Sequence, residues 1–141
     1  MLSRDSSFLV FSQSKEPTRD VSAWDAHAAR FFATRLQAGE GDTIVVAHGG
    51  DAPEPRRVVA RAVEPEDRAL ADAAEARAGG GLGLLARRCP TVWLVERRAH
   101  DDRTALRLAA ILASVLLGPI LDARIPELLG VKTARERLVL E

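Results

Sequence analysis

The chain contains very little cysteine and few aromatic residues, and each shortage excludes a class of protein. Its single cysteine, Cys89, excludes an internal disulfide, a zinc site built from cysteines and an iron–sulfur cluster. Tyrosine is absent, and all aromatic residues together make up 4% of the chain. The sequence therefore offers few rings on which sugars or RNA bases stack.

A net charge is missing as well, because 20 Lys and Arg residues balance 20 Asp and Glu residues. A chain with zero net charge is not attracted as a whole to nucleic acid or to anionic lipid. Eighteen of the basic residues are arginine. This bias is typical of GC-rich coding, so an arginine cluster here carries little weight as a sign of function. The composition therefore argues against a nucleic-acid partner, although local arginine patches remain an alternative.

What is present has the composition of one globular domain. Of the 141 residues, 47% are hydrophobic and 28% are charged, which predicts a single compact domain over residues 1–141. The first seven residues lack the apolar stretch of a signal peptide, so a cytoplasmic location is expected. No pattern in the chain predicts a metal site or a cofactor.

Strands and helices are predicted to alternate through the first two-thirds of the chain. Apolar and β-branched runs predict strands, a helix is expected to run to Leu36 and to be closed by Gly39, and a second helix is expected from Pro65. The four predicted strands cover residues 8–11, 43–47, 57–63 and 91–96. The strand–helix–strand–strand–helix–strand order is typical of an α+β, split βαβ (ferredoxin-like) sheet over about residues 7–97, although a mixed sheet with another strand order remains the alternative.

A helical extension is predicted over about residues 102–140. Residues 108–121 carry no charge, but they are too few to span a bilayer, so we expect a core helix and no membrane span. One further helical turn is expected at 125–130 and a last helix at 134–140. The long helix is apolar on every side, and it must therefore be covered by the C-terminal segment or by a partner chain. The second option predicts a homodimer or a hetero-complex with an interface made of Leu106, Leu108, Leu112, Val115, Leu116, Leu128 and Leu129.

No catalytic residue is predicted, because each catalytic pattern fails at a required position. His48-Gly49-Gly50 is similar to an oxyanion loop, but no serine lies on a Gly-x-Ser-x-Gly turn. The Gly79–Gly83 stretch follows a helix and matches no phosphate-binding fingerprint. Cys89 is expected to be a buried packing residue. The sequence therefore favours a non-enzymatic protein-interaction module that self-associates or docks through its C-terminal helices.

Two alternatives remain open at this stage. The first is a small enzyme or ligand-binding domain that holds an anion with the loop after the second predicted strand and two nearby arginines. That site consists of His48, Gly49, Gly50, Asp51, Arg56 and Arg57. The second is nucleic-acid binding through two arginine patches, which consist of Arg56, Arg57 and Arg61 and of Arg97, Arg98 and Arg103.

Overall fold

A computed structural model describes residues 2–139, which form seven β-strands, five α-helices and one short 3-10 turn. The strands are β1 Ser7–Ser12, β2 Thr34–Ala38, β3 Thr43–His48, β4 Glu54–Ala62, β5 Thr91–Glu96, β6 Ile120–Asp122 and β7 Glu127–Leu129. The helices are α1 Val21–Phe32, α2 Pro65–Ala78, α3 Leu82–Arg87, α4 Arg103–Leu116 and α5 Val131–Val139, and the 3-10 turn is Arg4–Ser6. The protein therefore belongs to the predicted α+β class.

One sheet contains all seven strands in the order β2-β3-β4-β5-β1-β6-β7, and every neighbouring pair is antiparallel. The second and third predicted strands, β3 and β4, follow one another without a helix and pair as an antiparallel hairpin. The ferredoxin-like strand order is not confirmed. That order places β1 between β4 and β5, whereas here β5 lies between β4 and β1. The sequence pattern did not predict β6, which pairs with the free edge of β1.

Helices cover both faces of the sheet. Side chains alternate along a strand, so Phe8 and Val10 of β1 pack in one core cluster while Leu9 and Phe11 pack in the other. The cluster with Phe8 includes residues of α1, α4 and α5, and the cluster with Leu9 includes residues of α2 and α3. Strand β1 is therefore buried on both faces, which explains its continuous apolar sequence.

The first helix ends four residues earlier than the sequence predicts. Ala33 adopts the left-handed conformation with φ of 49°, and the chain then forms β2, so the predicted helical position of Leu36 is wrong. The carboxylate of Asp25 on α1 accepts the backbone N–H of Leu36 at 2.7 Å and pairs with Arg35. These contacts occupy the outer edge of β2 and protect this edge strand from pairing with another chain.

The long C-terminal helix also ends early. Helix α4 stops at Leu116, and the segment predicted to continue it to residue 121 forms β6 instead. At Gly118, a Cβ atom would lie 1.9 Å from the carbonyl oxygen of Phe11, so only glycine permits this approach of the two backbones. The predicted helical turn at 125–130 is also wrong, because Glu127–Leu129 forms β7 and pairs with β6.

Helix α4 is covered by its own chain along most of its length. Leu108, Ile111 and Leu112 are completely buried, and α4 packs against α1, α5 and β1. The C-terminal segment therefore supplies part of the cover of this helix, together with α1 and the sheet. Helix α5 confirms the last predicted helix as far as Val139, while position 140 lies outside the described residues. Within residues 2–139, no helix has the length and apolar character needed to cross a bilayer.

Candidate functional site

The seven residues predicted to form an interface are not gathered on one surface. Leu108, Leu112 and Leu129 lie in the core of the chain, so they have no surface to offer a partner. Leu106, Val115 and Leu116 are partly buried and pack against the same core cluster, and Leu128 packs on the opposite face of the sheet. Leu116 directly precedes an exposed apolar residue, Leu117, and Leu106 and Leu129 share a cavity with another, Ile125.

The predicted ligand loop is the hairpin turn between β3 and β4. Gly49 takes a left-handed conformation with φ of 58°, and the N–H of Asp51 donates to the carbonyl of His48 at 3.1 Å. Gly49, Gly50 and Asp51 are exposed, while His48 is partly buried. The turn therefore places an exposed carboxylate directly after a half-buried imidazole.

Thr34 on the neighbouring strand β2 determines which ring nitrogen of His48 carries the hydrogen. The hydroxyl of Thr34 donates to the carbonyl of Phe32 at 2.8 Å, and the same oxygen lies 2.9 Å from Nδ1 of His48. Because the hydroxyl hydrogen is already directed at the Phe32 carbonyl, the Thr34 oxygen accepts a hydrogen bond from Nδ1–H of His48. This assigns the tautomer with a hydrogen on Nδ1, and it leaves the lone pair of Nε2 available to a ligand.

The surroundings of His48 favour its neutral form. Burial is the largest effect that lowers the pKa of His48, and the charge of Arg107 lowers it further. Asp51 and the carbonyl of Ala33 act in the opposite direction, but the pKa remains below its ordinary value. At neutral pH the imidazole is therefore an uncharged hydrogen-bond acceptor.

Arg107, on the second turn of α4, completes this group. The residue is only 9% exposed, and among the described residues its guanidinium has no hydrogen bond or salt bridge. Its charge interacts through space with His48, Asp51 and Glu54. Burial, followed by repulsion from Arg103, lowers the pKa of Arg107, although an arginine remains charged at neutral pH. A nearly buried guanidinium with unused donors is a ready partner for an anion.

Glu54 lies near Arg107 but is held by other groups. Its carboxylate accepts a hydrogen bond from the hydroxyl of Thr104 at 2.5 Å and another from Arg56 at 3.2 Å. The bond from Thr104 is the main cause that lowers the pKa of Glu54. The carboxylate therefore moderates the charge of the site without occupying the donors of Arg107.

The two arginines predicted for this site serve other contacts. Arg56 is 4% exposed, and its Nε and Nη2 donate to the carboxylate of Asp102 at 3.0 and 3.1 Å. Arg57 makes a two-point contact with Asp42. The structure thus keeps His48 and its loop in the candidate site and removes Arg56 and Arg57 from it.

The remaining arginines of the two predicted patches are also occupied. Arg61 pairs with Asp67, and Arg97 with Asp122. Arg103 donates to the carbonyl of Leu138. Exposed Arg98 lies 3.9 Å from a carboxylate oxygen of Glu96. The patches are therefore mixed surfaces of both charges, which is the opposite of a phosphate-backbone footprint.

Sequence reasoning missed Arg107, Thr34 and Glu54. Arg107 was recognisable in principle, because it is the only charged residue between Arg103 and the end of an otherwise apolar helix. Its role depends on the strand order, which brings the first turns of α4 to the β3–β4 hairpin. Thr34 had no signal at all, because it was expected inside a helix.

No group of three or more metal-ligating side chains is found in the part of the chain that the structure describes. The comparisons with known proteins add no relative, because no family model, no curated protein and no solved structure matches the chain.

Proposed function

We propose that the protein binds a small phosphate-type anion between the His48–Asp51 loop and Arg107. The observation that carries this proposal is the nearly buried guanidinium of Arg107, which has no hydrogen-bond partner among the described residues and lies beside a neutral imidazole. None of the Arg107 nitrogens is among the fully buried atoms without a hydrogen bond, so the donors of this mostly buried side chain remain accessible to an anion.

The two side chains recognise different parts of such an anion. Arg107 donates N–H groups to the unprotonated oxygens, as guanidinium groups do in phosphate sites. Nε2 of His48 accepts a hydrogen bond from an oxygen that still carries a proton. Inorganic phosphate retains a hydroxyl in both of its forms near neutral pH, whereas a phosphate monoester, with a second pKa of about 6, has mostly lost its hydroxyl and sulfate has none. The proposal therefore includes a preference for phosphate over sulfate.

The test is an NMR titration of the amide resonances with inorganic phosphate, repeated with sulfate as the matched anion. We expect saturable shifts at 48–51 and around Arg107, with tighter binding of phosphate. Arg107→Leu should abolish binding of both anions, while His48→Leu should remove only the preference for phosphate.

Arg57→Leu is the control for a general loss of positive charge, because Arg57 is already paired with Asp42. This variant should bind phosphate as the wild type does. Equal phosphate affinity in the wild type and in folded Arg107→Leu would refute the proposal.

Self-association is a second candidate function, and one specific observation favours it. Leu117 is 64% exposed although it adopts the left-handed conformation, which costs a leucine about 1–2 kcal/mol. It borders a groove of about 510 Å³ that Leu82, Leu85 and Val131 also line. A projecting leucine beside an unfilled apolar groove is self-complementary, so two copies related by a twofold axis fill each other's grooves.

Sedimentation at micromolar concentration tests the dimer. The wild type should sediment as a dimer and Leu117→Asp as a folded monomer, and a monomeric wild type would exclude this candidate.

A cytoplasmic location stays part of our proposal. It is supported by the single buried thiol, since the chain has no second cysteine with which to form an internal disulfide. Nucleic-acid binding gains no support from the paired arginines.

A further inference from the structure

A second cavity, which none of the anion-site residues lines, opens beside the first turn of α4. Its volume is about 500 Å³, which is within the range of small-molecule sites. Phe8, Leu106, Ile125 and Leu129 give it apolar walls. The polar residues around it are Arg97, His100, Asp101, Asp102, Arg103, Asp122 and Arg137.

Arg97 is the unusual member of this lining. Its side chain is 1% exposed and lies over the ring of Phe8, with Cζ 3.9 Å from the ring centroid. Nη1 is 2.8 Å from a carboxylate oxygen of Asp122, and Nη2 donates to the carbonyl of His100 at 2.6 Å. Nε and Nη1 are both buried without a hydrogen bond, although Nη1 lies at ion-pair distance from Asp122, so Nε is the nitrogen with no partner at all.

An unpaired N–H on a buried cation requires an explanation, because a buried donor that makes no hydrogen bond destabilises the fold. The cation itself is already balanced by Asp122, so the missing partner is an acceptor and need not carry a charge. Arg97 lines the cavity, so an acceptor bound there is the candidate partner of Nε. Because Nε is fully buried in the present arrangement, such binding requires a shift of the exposed residues 98–101, whose His100 carbonyl contacts this arginine.

We infer that this cavity binds a small amphipathic molecule with an aliphatic or aromatic body and one carbonyl or carboxylate oxygen. The body packs against Phe8, Leu106 and Leu129, and the oxygen accepts the free N–H of Arg97. The inference does not depend on the phosphate site, because none of its residues belongs to the His48–Arg107 group.

Three probes with the same chain length test the head group, namely octanoate, octanamide and octylamine. Octanoate and octanamide each present an acceptor oxygen, whereas the protonated amine presents only donors. In an NMR titration we expect octanoate and octanamide to shift the amides at 97–102 and at 125–129, and octylamine to bind at least about tenfold more weakly, since a hydrogen bond to a charged group contributes about 1.5–3 kcal/mol.

Two variants test whether the probes bind in this cavity. Leu106→Trp fills the cavity from a partly exposed site, so it should fold and lose binding of all three probes. The double variant Arg97→Met with Asp122→Asn removes the buried pair together, so it should keep the apolar contacts and lose the preference for an acceptor. Arg98→Met is the control on the exposed neighbour and should bind normally.

Circular dichroism establishes that each variant is folded before its binding is compared. Equal affinity for octanoate and octylamine, or unchanged octanoate binding in folded Leu106→Trp, would overturn the inference. An absence of any saturable shift with octanoate in the wild type would overturn it as well.

Discussion

Two nearly buried arginines near the start of α4 differ in how their charges are compensated. Arg56 on β4 is 4% exposed and makes two hydrogen bonds to Asp102 and one to Glu54. Arg107 on α4 is 9% exposed and has no hydrogen-bond partner among the described residues. Residue type and burial are therefore the same in the two regions, and only the partners differ.

The difference separates an arginine that supports the fold from one that is available to a ligand. Asp102 caps α4 by accepting the N–H of Ala105, accepts the N–H of Arg98 and holds Arg56, so one carboxylate joins the loop, the helix and the sheet. Although burial acts to raise the pKa of Asp102, these hydrogen bonds bring it below the ordinary value. No comparable carboxylate holds Arg107.

The largest effect on stability is expected from breaking the ion pair between Arg56 and Asp102. Asp102→Ala should lower the free energy of unfolding by about 3–5 kcal/mol, because it leaves Arg56 buried without its counter-charge and removes the cap of α4. Urea denaturation measures this change. The matched control is Asp101→Ala at the exposed neighbouring position, which should change stability by no more than about 0.5 kcal/mol.

The same carboxylate predicts a direction for the pH dependence. Because its folded pKa is lowered, its contribution to stability is present above the ordinary aspartate pKa of 3.8 and is lost as the pH falls through the folded value. Asp102→Ala should therefore flatten the acid limb of the stability curve. Similar losses in Asp102→Ala and Asp101→Ala would show that the pair does not support the fold.

A much smaller effect on stability is expected when Arg107 is replaced. Arg107→Leu removes no hydrogen bond from the described structure and replaces a nearly buried charge with an apolar group, so stability should change by no more than about 1 kcal/mol and should tend to rise. Arg56→Leu, compared in the same urea experiment, should lose about 3–5 kcal/mol. If the two substitutions were equally destabilising, the distinction between the two regions would be wrong.

The sequence predicted the central strands better than the ends of the helices. Strands β1, β3, β4 and β5 were recognisable because their apolar runs are buried. The boundary at Ala33 was missed because Phe32 and Leu36 fit a helical spacing as well as they fit two separate elements. Only pairing with β3 makes a strand of the residues around Leu36, and that tertiary contact overrides the local pattern.

The C-terminal prediction failed for a related reason. Leu108 and Leu121 belong to one uncharged run, but the backbone contact between Gly118 and Phe11 divides it into a helix and a strand. The ligand loop at His48 was predictable from its position after a strand. Arg107 was visible as the one charge inside the apolar part of α4, but in a chain rich in arginine its role depends on partners that only the fold shows.

The pKa of His48, measured by ¹⁵N NMR of its imidazole with and without inorganic phosphate, tests the central claim most directly. Without phosphate, the account predicts a neutral ring with hydrogen on Nδ1 and a pKa below the ordinary 6.5. Phosphate should raise this pKa, because an anion offsets the charge of Arg107 and stabilises the protonated ring. In Arg107→Leu the pKa should be higher from the start and should no longer respond to phosphate. A wild-type pKa that phosphate leaves unchanged, or a ring with hydrogen on Nε2, would contradict the account.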